Sequence, residues 1–321
     1  MSNPFTRIWL VQNNFWKIIS ILITWFCTNH GSLYAQSNND SLTTVLVGMC
    51  VNRIYEFSVR DQSFEAEFYL WLKWRGTYSP EKFEFVNGKN IERSYEVIEE
   101  DINGYKYLSV KIKGTFITPM NVSKYPKDKH ILSITIEDNY WNETRLQYQI
   151  DTLNTGMRNS ESYNEWRLRF LMPVIKSNSF PVTNERFSSY SFQIEAVRSI
   201  SPFIVKILVP ILLVVFMSML TFFIPPNELE VQVGLGGTAL LTIIALNFTI
   251  SDQIPDVAYL TKADILIIGS YIIVFFALCE SILVNFLHRN NKVNLSKYID
   301  KICRYSFPLI YSLSLLFLFL L

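Results

Sequence analysis

The stretch Glu230–Pro255, EVQVGLGGTALLTIIALNFTISDQIP, decides how the rest of the chain is read. At about 1.5 Å per helical residue it is long enough to cross the roughly 30 Å hydrocarbon core of a bilayer. Its composition is costly for a helix surrounded by lipid, because three glycines, four threonine or asparagine side chains and an acid near each end interrupt the apolar residues. At about 100° per residue, Glu230, Gly234, Gly237, Leu241, Ala245, Phe248 and Asp252 fall on one stripe, with Thr238 slightly off its centre. Leu235, Ala239, Ile243, Leu246 and Ile250 make an apolar opposite face. Two readings fit. One is a pore-lining helix with a wet face; the other is a helix whose small and hydroxyl side chains pack against neighbouring helices.

The flanking sequence supplies three more apolar spans, so the expected helices run over about 202–224, 231–252, 263–287 and 302–321. The first contains Pro210 and stops at Pro225-Pro226. Between the third and fourth lie Arg289, Lys292, Lys297, Lys301 and Arg304 against Asp300 alone, which places that loop in the cytoplasm. Counting back puts residues 36–198 and the C-terminus outside. Residues 1–35 read as a secretory leader, with Arg7 and Lys17 ahead of an apolar Ile18–Phe26 and a cut near Gln36, or as an uncleaved anchor. Either form exports the domain behind it, so two unrelated signals agree on orientation.

Residues 36–198 read as an all-β domain. Phe64, Ala66, Phe68, Leu70, Leu72 and Trp74 alternate with more polar or amphipathic neighbours, the period-two signature of a strand with one buried face. The alternation returns at 105–116, 130–137, 166–171 and 190–197, between turns rich in Asn, Gly and Pro, which predicts a sandwich. Asn87-Gly88 and Asn103-Gly104 are the clearest hairpin signals. The net charge of +1 gives no reason to expect a nucleic-acid partner. Four cysteines (Cys27, Cys50, Cys279, Cys303) and three histidines (His30, His130, His288) are too scattered for a disulfide framework, a metal site or a catalytic triad. No glycine-rich phosphate loop is present. No enzyme, cofactor or metal site is therefore expected.

An exported β-sandwich followed by four membrane helices, the second polar-striped, resembles the pentameric ligand-gated ion channels, the Cys-loop receptor superfamily. Residues 124–128, Lys-Tyr-Pro-Lys-Asp, look like that family's Tyr/Phe-Pro-x-Asp loop. Phe68–Trp74 looks like its second strand, Arg198 like its pre-helix arginine, and Pro210 and Pro255 like its first- and second-helix prolines. The missing cysteines around residues 125–128 and the short third loop look like the prokaryotic branch. One departure stands out: Gly234, Gly236 and Gly237 occupy the part of the helix where relatives place Ser or Thr on the pore stripe.

The resemblance implies five identical subunits in lipid, each giving its second helix to a pore for monovalent cations. Glu230 would then form an acidic ring at the cytoplasmic mouth, Leu241 a mid-pore ring that closes by dewetting, and Phe248 a second constriction, with Ala245 lining the space between. Gly234, Gly237 and Thr238 would line the inner half, and Asp252 would either form an outer ring or cap the helix. Coupling between domains would run through Tyr125, Pro126, Asp128, Arg198, Pro255 and Tyr259, with an Asp128–Arg198 ion pair. Agonists of the family bind between subunits, which points to Tyr69, Trp166, Phe180 and Phe187, although the family's Trp-x-Pro motif is absent at Glu84–Asn87. The external signal is a small molecule, protons or a divalent cation. The competing expectation is a non-conducting sensor, an exported binding domain on a four-helix anchor, which would need neither the stripe nor the acid ring.

Overall fold

The computed structural model describes residues 41–101, 103–158, 163–180 and 184–320, and the expected leader, with Cys27 and His30, lies outside them. Ten strands come first: β1 Thr43–Ser58, β2 Ser63–Trp74, β3 Phe83–Phe85, β4 Gly88–Glu100, β5 Lys106–Ile117, β6 Lys129–Asp138, β7 Leu146–Ile150, β8 Gly156–Met157, β9 Trp166–Phe180 and β10 Glu185–Arg198. One sheet runs β4-β5-β2-β1-β7, with β8 beside β1, and the other runs β3-β6-β10-β9. The alternation in β2 is realised, with Phe64, Ala66, Phe68, Leu70, Leu72 and Trp74 all buried. They meet Leu132, Ile134 and Ile136 of β6 and Phe192 and Ile194 of β10 in one core, the layered arrangement of a sandwich.

Of the two turn signals, only one closes a hairpin. Asn103-Gly104 joins β4 to β5, with Gly104 at φ +72°. Asn87-Gly88 instead carries the chain from β3 in one sheet to β4 in the other. Asn87 fastens that corner: its amide donates to the Ile117 carbonyl on β5 (2.9 Å) and the Ser133 carbonyl on β6 (2.7 Å), and its oxygen accepts from Thr135 N (3.1 Å). The residue chosen for turn chemistry is used as a clasp between layers.

Among the described residues four helices follow: α1 Ser201–Phe223, α2 Leu229–Ser251, α3 Lys262–Arg289 and α4 Val293–Leu320. The first three are long and apolar enough to cross a membrane. Pro210 cannot donate to the carbonyl one turn back, and a π turn at Ile204–Leu208 precedes it. A capping box between Thr261 and Asp264 starts α3, which packs on α1, α2 and α4. The expected fourth span, 302–321, falls within α4, but that helix begins at Val293. Its first turns carry Lys297, Asp300 and Lys301 and continue the helix beyond the apolar part that hydropathy detects.

Candidate pore helix and gating junction

On α2 the predicted stripe is the face left uncovered in the single chain. Glu230, Gly234, Thr238, Leu241, Ala245, Phe248 and Asp252 are exposed and Gly237 is half-exposed, whereas Ala239, Ile243 and Ile250 are buried against the bundle. Leu241 and Phe248 are 69% and 65% exposed, large apolar side chains on a helix whose opposite face is packed. The polar side chains are locally satisfied: the hydroxyls of Thr238, Thr242, Thr249 and Ser251 each donate to the carbonyl four residues back. The three glycines divide in role. A Cβ at Gly236 would stand 2.2 Å from Leu278 of α3, so that position serves close helix packing, while Gly234 and Gly237 face open space.

Beneath the sandwich, the Asp128–Arg198 pair is formed. Arg198 Nε lies 2.7 Å from Asp128 Oδ1 and Nη2 lies 3.1 Å from Oδ2, with both side chains buried. His130 Nε2 donates to the same carboxylate at 2.7 Å, and Glu165 takes the remaining guanidinium arm. Burial opposes the charge on Asp128, but the hydrogen bonds from His130 and Arg198 and the Arg198 charge outweigh it, holding the carboxyl below its ordinary range. The guanidinium stacks over Trp166 at 4.1 Å and Tyr125 at 4.9 Å. Tyr125 precedes Pro126 through a cis peptide, and burial pushes its phenol up to about 12.

From this anchor three contacts reach the helices. Tyr125 donates to Gln253 Oε1 at 3.1 Å. Tyr259, in the loop after α2, accepts from Val122 N at 3.1 Å and donates to Asn121 at 3.3 Å. Arg60, between β1 and β2, meets the Asp252 carboxylate at 3.2 Å. Asp252 is the C-cap of α2, and this contact ties its carboxylate to the domain junction as well. Pro255 lies half-buried within the same loop.

Trp166 is 4% exposed, wedged between Phe57, His130 and Arg198 at the base of the sandwich. It belongs to the Arg198 anchor, and with Phe57 and Pro202 it lines the cavities beside that anchor. Phe180 and Phe187 do meet, edge to face at 5.3 Å, near the tip of the β9–β10 hairpin. Tyr69 is exposed on β2 in the opposite sheet, so one chain does not bring it to them.

Sequence reasoning missed Arg60, Gln253 and Glu280. The first two sit in short polar loops, where composition carries no pattern. Glu280 is a buried acid on the membrane helix α3 near Asp300 and Arg304 of α4, and a lone Glu in an apolar run is itself a signal. Arg304 joins the helices there, donating to the Phe222 carbonyl (2.7 Å) and Asp300 (2.9 Å).

The neurotransmitter-gated ion-channel transmembrane region, as a family model, matches residues 207–298, which contain the striped helix and α3 entire. A proton-gated ion channel of Gloeobacter violaceus is 22% identical over 298 residues, covering 86% of this chain and 82% of its own length. The transmembrane region of this chain is that of the neurotransmitter-gated ion channels, and the whole chain is similar to a pentameric ligand-gated ion channel. The pH-sensitive chloride channel 2 of Drosophila melanogaster is 25% identical over 214 residues, 62% of this chain but 40% of that protein. Transmembrane helices therefore follow a β-sandwich that stands outside the membrane.

Proposed function

We propose that the protein is a homopentameric, cation-selective channel opened by a signal outside the membrane, and that protons are part of that signal. The observation that carries the reading is the α2 stripe: a face with Leu241 and Phe248 uncovered on a helix whose opposite face packs into the bundle at Ala239, Ile243 and Ile250. Five such faces around an axis enclose a pore, and five Leu241 side chains close it by excluding water. Glu230, exposed in the first turn of α2, would add five carboxylates at one mouth, where low-dielectric walls make their fields act together. Both relatives respond to pH by name, one of them carrying chloride, so the sign of selectivity rests on Glu230 and needs its own measurement. The cross-strand pair Phe180–Phe187 and the exposed Tyr69 of the other sheet would meet only across neighbouring subunits, and there they would frame an agonist.

Reconstituting Leu241→Ser in a planar bilayer tests the reading. A polar ring at the dewetting point should give current without any agonist, reversing near the cation equilibrium potential under a salt gradient. A folded, silent protein would favour a non-conducting sensor. Reversal toward the anion potential would keep the channel and remove Glu230 as its filter.

A further inference from the structure

At the far end of β6 from Asp128, two consecutive carboxylates are buried on opposite faces of the strand. Glu137 and Asp138 are 3% and 1% exposed. Glu137 Oε2 accepts from the Asn178 side chain on β9 at 2.8 Å. Asp138 Oδ1 accepts from the backbone amides of Tyr140 (2.9 Å) and Trp141 (2.7 Å). The other oxygen of each carboxylate is buried without a partner, as are the hydroxyls of Tyr148 on β7 and Ser189 on β10, the latter the cross-strand neighbour of Glu137. Tyr148 lies near enough to both acids to feel their charge. The remaining charged neighbours are Glu84 on β3, paired in register with Glu137, and Lys82 in the turn before β3, near Asp138.

A buried carboxylate oxygen with no donor is costly, whereas a carboxyl O–H can donate to a neighbouring acceptor. Each acid has a spare hydroxyl near it, Ser189 beside Glu137 and Tyr148 near Asp138, and each place is short of a proton. We infer that Glu137 and Asp138 are two proton-binding sites on the opposite faces of β6, the first tied to the β9–β10 hairpin. Asn178 lies two residues before Phe180, so neutralising Glu137 removes the charge that strengthens its hold on the hairpin tip. β6 and β10 then run in register from Glu137↔Ser189 to Val197↔Lys129, one residue short of the Asp128–Arg198 anchor. Burial raises Glu137, with the Asn178 bond opposing and the Glu84 charge adding. Burial also raises Asp138, against the Trp141 and Tyr140 amides and the Lys82 charge. With both raised, the folded chain binds more protons than the unfolded one just above the ordinary carboxylate range. Stability contributed here is therefore present at acid pH and is lost as pH rises through that window.

The use of this pair in gating rests on the reading that protons are the external signal, and the test separates the two. The full-length protein would be purified, its thermal unfolding followed from acid to neutral pH, and proton-evoked ion flux measured in liposomes. The double variant Glu137→Gln, Asp138→Asn should unfold at a higher temperature than wild type at neutral pH, the difference closing toward acid pH. Its flux should reach half-maximum at about tenfold lower proton concentration, the equivalent of one pKa unit. Glu84→Gln, an exposed change that leaves folding intact if the double variant does not, should shift flux the opposite way. Unfolding profiles with the same pH dependence in all three proteins would overturn the site. A pH-dependent difference in unfolding, with wild-type flux indifferent to pH, would uphold the proton pair and overturn proton gating.

Discussion

Asp128 is the residue on which most of the junction converges, since Arg198 and His130 share its carboxylate. Breaking a buried pair by removing one partner typically costs about 3–5 kcal/mol, because the other charge is left without compensation. Asp128→Asn should therefore lower the unfolding temperature and the yield of assembled protein in size-exclusion chromatography; unchanged values for both would show that the pair is dispensable. The sign of its pH dependence is fixed by its lowered folded value. The stability it gives is full above the ordinary carboxylate value of 3.8 and is lost as pH falls through the folded value. The deficit of the Asn variant should shrink in strong acid, the opposite of the trend at Glu137. The Asp128–Arg198 pair was legible because both partners lie in short motifs of recognisable spacing. The place of Trp166 at the base of the sandwich was not legible, because its sequence neighbourhood does not reveal that the distant Arg198 stacks over its ring. Glu137 and Asp138 left no mark, since a strand ending in two acids reads as a strand running into a solvated loop.

Among the elements, α2 was the most readable, because a 3.6-residue period over 23 residues overdetermines its phase. β4 was invisible for the opposite reason. Nearly every residue from Gly88 to Glu100 is exposed, so no alternation exists to detect, and its charges suit an edge strand. Gly236 and its neighbours offer a contrast that composition alone cannot make. Gly236→Ala would push Leu278 out of its place, and overpacking of this kind costs about 1–3 kcal/mol. The end of a half-buried leucine can swing aside, which favours the low end. Gly234→Ala meets nothing within 4 Å and gains up to about 1 kcal/mol of helix propensity. The two variants should move the unfolding temperature in opposite directions, and a fall of equal size in both would mean that Gly234 is packed in the assembly. In the sandwich, Gly48→Ala would place a methyl about 2.2 Å from the ring of Trp71. That indole is held by Asp151 at 3.1 Å. Rigid on one side and tethered on the other, it should make this the most damaging alanine of the three.

Across the whole molecule, only a few polar contacts tie the sandwich to the end of α2 and the loop beyond it. Tyr259→Phe removes one acceptor and one donor from that set while leaving the ring in place. In single-channel recordings it should reduce open probability without altering the current through an open pore, because the bonds it loses are to Asn121 and Val122 of the outer domain. A changed unitary current would place the tyrosine in the permeation path instead. The Arg60–Asp252 pair is exposed on both sides, so either single neutralisation should cost well under about 1 kcal/mol of stability. Any effect on gating would then report on motion rather than folding.

The position of Arg198 bears on transplantation. Both halves of the anchor, Asp128 and Arg198, lie on the same side of the point where the chain enters the membrane. A graft cut between Arg198 and Ser199 would carry the whole clamp with the outer domain and ask of the acceptor's first helix only a partner for Tyr125, the place Phe203 fills here. The segment the acceptor must supply is short, running from Asp252 through Tyr259. An outer domain moved together with that loop would bring its own connector to a foreign pore.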